Sequence, residues 1–125
     1  MKIKYTRLYA GADGESHFAE IEDELKLVDF APPGAPLNLS SFIPASQVAF
    51  FGAAAGWQGD WHPSPARNLF VVISGEWEVR TSDGGSRLFG PGSIVLVEDT
   101  TGKGHASQVI GNSDSLAVLV QLSDS

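Results

Sequence analysis

Glycine and proline punctuate this chain from end to end: 14 Gly and 7 Pro fall within 125 residues. Turn signals recur at about the eight-to-twelve-residue spacing of sandwiches and barrels. Few helices survive such interruption. Proline removes a backbone donor and clashes with the preceding turn, and an interior glycine costs about 1 kcal/mol relative to alanine. The chain is therefore expected to be all-β.

The stretches between the turns read as strands. Lys2 to Tyr9 alternates, and Gly11-Ala12-Asp13-Gly14 turns it. Ser16 to Glu22 alternates again, and Leu25 to Phe30 reads as a short strand. Ala31 to Pro36 is a loop, because each proline pushes its predecessor out of helical geometry. Ser46 to Ala54 is a strand rich in small residues. Asn68 to Ile73 is an apolar run, as in a strand covered on both faces. Glu76 to Thr81 alternates, and Asp83-Gly84 supplies the positive φ angles of a tight hairpin into Ser86 to Phe89. After Gly90-Pro91-Gly92 come Ser93 to Val97, the loop Thr100 to Gly104, His105 to Ile110, and Leu116 to Leu122. This gives about nine or ten strands in one domain, residues 1–125.

Composition excludes several classes. With no cysteine there is no disulfide, thiolate metal site or cysteine nucleophile. A net charge of −7 repels a phosphate backbone, so no nucleic-acid partner is expected. The first residues lack the apolar core of a secretory signal. No apolar run reaches the ~20 residues of a spanning helix. The expectation is a soluble, cytoplasmic protein with no membrane partner. Its charged fraction of 18% is below the ~25% usual for soluble domains, which suggests surface hidden in a homodimer.

Between Trp61 and Val109 the sequence resembles the cupin superfamily. The first cupin motif runs from a His-x-His pair through an acidic residue or glutamine to a strand ending in Gly. The matching stretch here is His62-Pro-Ser-Pro-Ala-Arg-Asn-Leu-Phe-Val-Val-Ile-Ser-Gly75. The second motif, opening on Gly and Pro-x-Gly and closing on a His, corresponds to Gly90-Pro91-Gly92 through Gly104-His105. The resemblance implies a jelly-roll, or cupin, β-barrel. It also implies a metal centre in which His62 and His105 occupy two ligand positions. The second histidine position falls on Ser64 and the acidic position on Asn68. Two imidazoles remain of the usual three, and the carboxylate has become an amide.

Alternation gives His62, Ser64, Asn68, Phe70 and Val72 one parity, so all could face one pocket. His62, His105 and the Asn68 amide oxygen could hold one divalent ion, Fe, Mn, Ni or Zn. Two nitrogens alone make a weak site, and the plain alternative is a hydrogen-bonded polar pair. Lys103 could hold an anionic group of a ligand. Glu98 or Asp99 could act as a base if burial raised its pKa, although Asp99 before Thr-Thr-Gly also suits an Asx turn. His17 with Glu20 and Glu22 could extend the site, against the simpler reading of a solvated edge strand. Trp61, of opposite parity to His62, should point away from the pocket, and Trp77 should be core or interface.

Three functions remain open. One is a mononuclear metal-dependent enzyme, of dioxygenase or isomerase type, acting on a small polar molecule. Another is a metal-free cupin that binds or senses a small ligand. The third is a structural dimer without a ligand.

Overall fold

The computed structural model describes residues 1–123. Among them are eleven strands and no helix. The strands are β1 (Lys2–Ala10), β2 (Ser16–Glu24), β3 (Lys26–Val28), β4 (Leu37–Leu39), β5 (Ala45–Ala53) and β6 (Asn68–Ser74). They continue as β7 (Glu76–Thr81), β8 (Ser86–Phe89), β9 (Ile94–Glu98), β10 (His105–Ile110) and β11 (Ser115–Leu122). The strand missing from the sequence reading is β4. Its three residues follow the proline loop and pair only with the equally short β3.

The fold is of the all-β, jelly-roll class. Six strands form one sheet in the order β2-β1-β9-β6-β11-β5, and three form a second in the order β10-β7-β8. β1 and β9 run parallel, while the other pairs are antiparallel. Hydrogen bonding does not run continuously around the molecule, so the expected barrel is two open sheets rather than a closed cylinder. The core lies between them. Leu8, Val72 and Val95 come from the large sheet, and Trp77, Phe89 and Val109 from the small one. Burying an aliphatic or aromatic side chain of this kind contributes roughly 1.5–3 kcal/mol, so these six fix the register of both sheets. No helix among the described residues is long and apolar enough to cross a membrane.

The two sheets are tied at one end, where the site forms. His62 and His105 exchange backbone hydrogen bonds of 3.1 and 3.0 Å in an isolated antiparallel bridge. The bridge needs a bare backbone beside it. Gly104 sits at φ +72°, and a Cβ there would overlap the His62 carbonyl. The loop before it is pinned to the turn after β1: Ser16 Oγ donates to the Gly104 carbonyl at 2.7 Å, and the Lys103 amide donates to the Gly14 carbonyl at 3.0 Å.

Candidate functional site

A cavity of about 200 Å³ lies between the sheets. Its wall is mainly apolar, with Leu8, Val79, Phe89, Val95, Val97 and Leu119 among the lining side chains. Four aromatic rings also line it. Phe51, Trp57 and Phe70 each lie 5.4–5.8 Å, centroid to centroid, from Trp77. Phe70 and Trp57 meet Trp77 edge to face, the favoured arrangement for aromatic pairs. The polar groups are His62, His105, Ser64, Asn68 and Ser107.

The two imidazoles stand side by side, with ring centroids 5.0 Å apart. His62 is exposed at the mouth, and the His105 side chain is 13% exposed. Each ring is anchored through the same nitrogen. His62 Nδ1 lies 2.7 Å from the Asp60 carbonyl. His105 Nδ1 lies 2.5 Å from Oδ2 of Asp99. A carbonyl or carboxylate oxygen accepts, so Nδ1 carries the hydrogen in both rings. Nε2 is then the lone-pair nitrogen of each neutral ring. Among the described residues it makes no protein hydrogen bond in His62 or His105.

Asp99 has no exposed surface, and its Oδ1 has no hydrogen-bond partner. Its backbone carbonyl accepts from the Ser64 amide at 2.9 Å. Asp99 is therefore not simply an Asx-turn residue: it is the buried anchor of His105. Glu98 points elsewhere, between Arg7 Nε at 2.6 Å and Arg67 Nε at 2.8 Å. Burial pushes the Glu98 carboxyl up, but the two guanidinium groups outweigh it and hold it below its ordinary value. A carboxylate held in this way does not serve the cavity as a base.

The structure brings His62, Ser64, Asn68, Phe70 and His105 to one cavity and leaves Val72 and Lys103 out. Val72 lies in the sealed core beneath, at 1% exposure. Lys103 turns back to Glu15, with Nζ and Oε1 2.5 Å apart, and that bond raises the ammonium's pKa. It faces the surface beside Trp61, Thr81 and Ser82 rather than the cavity. The pinned backbone on either side of the loop explains its direction. His17 bonds Asp13 and Asp83 on the surface and does not line the cavity. Trp61 stands outside, with the Arg80 guanidinium 5.7 Å above its ring.

Sequence reasoning missed Asp99 as the partner of His105, and Trp57 and Phe51 as wall residues. No periodic signal marks Asp99 or Trp57, since both lie outside regular strands. Phe51 carried no clear signal either, because it directly follows Phe50 in a strand without apolar alternation.

The donor set falls short of a tightly held resident metal. Among the described residues no three His, Cys, Asp or Glu side chains are placed to hold one metal ion. Asn68 donates through Nδ2 to Ser64 Oγ at 3.3 Å and to the Ala66 carbonyl at 3.1 Å, which leaves its amide oxygen free. Two imidazoles and one neutral amide supply no negative charge to a dication, and catalytic zinc sites use three protein ligands. The carboxylate-anchored imidazole is nonetheless the usual support of a metal-ligating histidine.

No family model matches the chain, and no curated protein does. Solved structures do. Protein NMB1881 from Neisseria meningitidis is 20% identical over 61% of this chain and 72% of its own, with a TM-score of 0.46. The conserved SPY1581 protein of unknown function from Streptococcus pyogenes is 17% identical over 62% of this chain, which spans 64% of it, with a TM-score of 0.47. A putative ethanolamine utilization protein q from Salmonella typhimurium is 14% identical over 98% of this chain and 97% of its own, with a TM-score of 0.40. Likeness at this level carries nothing about activity.

Proposed function

We propose that this protein is a small cupin-like domain that binds one compact ligand, with a largely apolar body and one polar end. The observation behind this reading is the pair His62 and His105. Both rings have Nδ1 committed and Nε2 free, at the polar end of an apolar cavity. Two neutral lone-pair nitrogens accept hydrogen bonds, so the polar end of the ligand should carry an O–H or N–H donor. The volume limits its size, since an apolar cavity of roughly 150 Å³ takes one benzene ring. The cavity wall favours a ligand with an apolar body, where the sequence led to the expectation of a small polar molecule. Calorimetric titration with phenol and with toluene, which match in size and differ in the donor, tests the reading.

A second reading is favoured by the anchoring of both rings through Nδ1. His62 and His105, with the Asn68 amide oxygen, would hold one divalent ion of the Fe, Mn, Ni or Zn type. Such an ion would act as a Lewis acid on a bound ligand. Its affinity would be modest, because no anionic ligand joins it.

A further inference from the structure

Three carboxamides stand in one row across the large sheet. Gln47 of β5 is in register with Gln121 of β11, and Gln121 with Asn68 of β6. Side chains paired in register share a face of the sheet. The next row on that face is Ala49, Leu119 and Phe70, and the one after it is Phe51, Ala117 and Val72. Leu119, Phe70 and Phe51 line the cavity, so the amide row lies on the cavity side of the sheet. Inner faces of packed sheets normally carry apolar side chains. Here the row is buried at Asn68, half-buried at Gln121 and exposed at Gln47. It therefore leads from the cavity wall out to β5 at the edge of the sheet.

A groove of about 340 Å³ runs beside the row. Pro65, Asn68 and Leu119 line both the groove and the cavity, so the two spaces share a wall. The amides are only partly used within the protein. Asn68 Nδ2 donates to Ser64 and Ala66, and Gln47 Nε2 donates to Gln121 Oε1. Among the described residues this leaves Asn68 Oδ1, Gln121 Nε2 and Gln47 Oε1 without a protein partner. Their order along the row is acceptor, donor, acceptor. With neighbouring strands ~4.8 Å apart, the three span about 10 Å.

We propose that the ligand of the cavity continues into this groove as a neutral extension whose hydroxyl or amide groups pair with the row Asn68, Gln121 and Gln47. The proposal rests on the reading of the cavity as a ligand site. Charge excludes an ionic extension: no side chain lining the groove is charged, so an ion would lose its hydration with no opposite charge in return. Hydroxyls and amides each donate and accept, as an alternating row requires. The groove has roughly twice the volume that takes one benzene ring, room for one hexose ring or a short amide chain.

Calorimetric titration of the full chain with three neutral probes tests this. Benzyl alcohol ends at the cavity mouth. Benzyl β-D-glucopyranoside extends it with hydroxyls, and phenylacetylglycinamide with amides. At least one extended probe should bind wild type at least tenfold more tightly than benzyl alcohol, the yield of about two net hydrogen bonds. Which of them gains identifies the extension as hydroxyl or amide. That affinity ratio should fall at least fivefold in Gln121→Leu, which removes the central amide at similar volume. It should fall likewise in Ala49→Trp, which fills the groove from an exposed position. If benzyl alcohol binds and neither extended probe gains, the extension is overturned and the cavity reading stands. A ratio that survives both substitutions also overturns the extension. A wild-type protein that binds none of the three overturns the extension and the cavity reading together.

Discussion

His105 donates from Nδ1 to a carboxylate that no solvent reaches: Oδ2 of Asp99 lies 2.5 Å away, and Asp99 has no exposed surface. The bond sets which nitrogen of His105 faces the cavity. Removing one partner of a buried hydrogen bond costs about 1–3 kcal/mol, because the other is left unsatisfied. Asp99→Ala should therefore lower the unfolding free energy by about that amount, read from the urea midpoint. Asp99→Asn should cost less, since its amide oxygen still accepts from Nδ1–H. An Asp99→Ala protein as stable as wild type would show that the pair does not hold the loop.

Asn68 stands where the cupin resemblance places a carboxylate, and it is 8% exposed. Asn68→Glu should bind Co(II) at least tenfold more tightly than wild type in calorimetric titration, because an anionic ligand joins the two imidazoles. Without metal the variant should be less stable, since it buries an unpaired charge. If Asn68→Glu bound no better than wild type, His62 and His105 would not converge on one ion.

His17 spans two turns on the surface, with Nε2 3.2 Å from Asp13 Oδ1 and Nδ1 2.9 Å from Asp83 Oδ2. The Asp13 hydrogen bond raises its pKa above the ordinary 6.5, against a smaller opposing effect of desolvation, and Asp83 adds to the rise. Asp13 and Asp83 are both lowered below 3.8. For a raised histidine, the stabilising contribution is complete below pH 6.5 and is lost as pH rises through its folded value. For the lowered aspartates, it is present above 3.8 and is lost as pH falls through theirs. The tie between the turns should thus be strongest in mildly acidic solution, between pH 3.8 and pH 6.5, and weaken on either side. In an NMR titration the His17 midpoint should lie above 6.5 and return toward it in the Asp13→Asn, Asp83→Asn double variant. An unmoved midpoint would mean that the turns are not joined through His17.

Much of the fold was legible in residue order. Asp83-Gly84 and Gly90-Pro91-Gly92 marked the bends, and the alternation around Trp77 showed which face of β7 would be buried. The site was half legible. His62 and His105 could be placed by motif, but the role of Asp99 depends on the loop 99–104 folding back, which Ser16 and Gly14 fix from a distant turn. Lys103 was misplaced for the same reason. It is two residues from His105 in sequence, and the pinned backbone sends its side chain to Glu15. The exposure of β5 was not legible, because an uncharged apolar strand reads the same whether a second sheet or a second molecule covers it.

The free Nε2 nitrogens of His62 and His105 are the centre of the functional account, and a matched pair of probes reads them directly. Phenol offers an O–H to a lone pair, and toluene puts a methyl group in the same place. Calorimetric titration should give a phenol-to-toluene affinity ratio in wild type about fivefold higher than in His62→Ala, the value of one hydrogen bond of about 1 kcal/mol. The ratio cancels the extra room that the substitution opens. A single O–H donates to one of the two nitrogens, so where His105 Nε2 is the acceptor the fall appears in His105→Ala instead. An unchanged ratio in both variants, or a wild-type protein that takes up neither probe, would contradict the account.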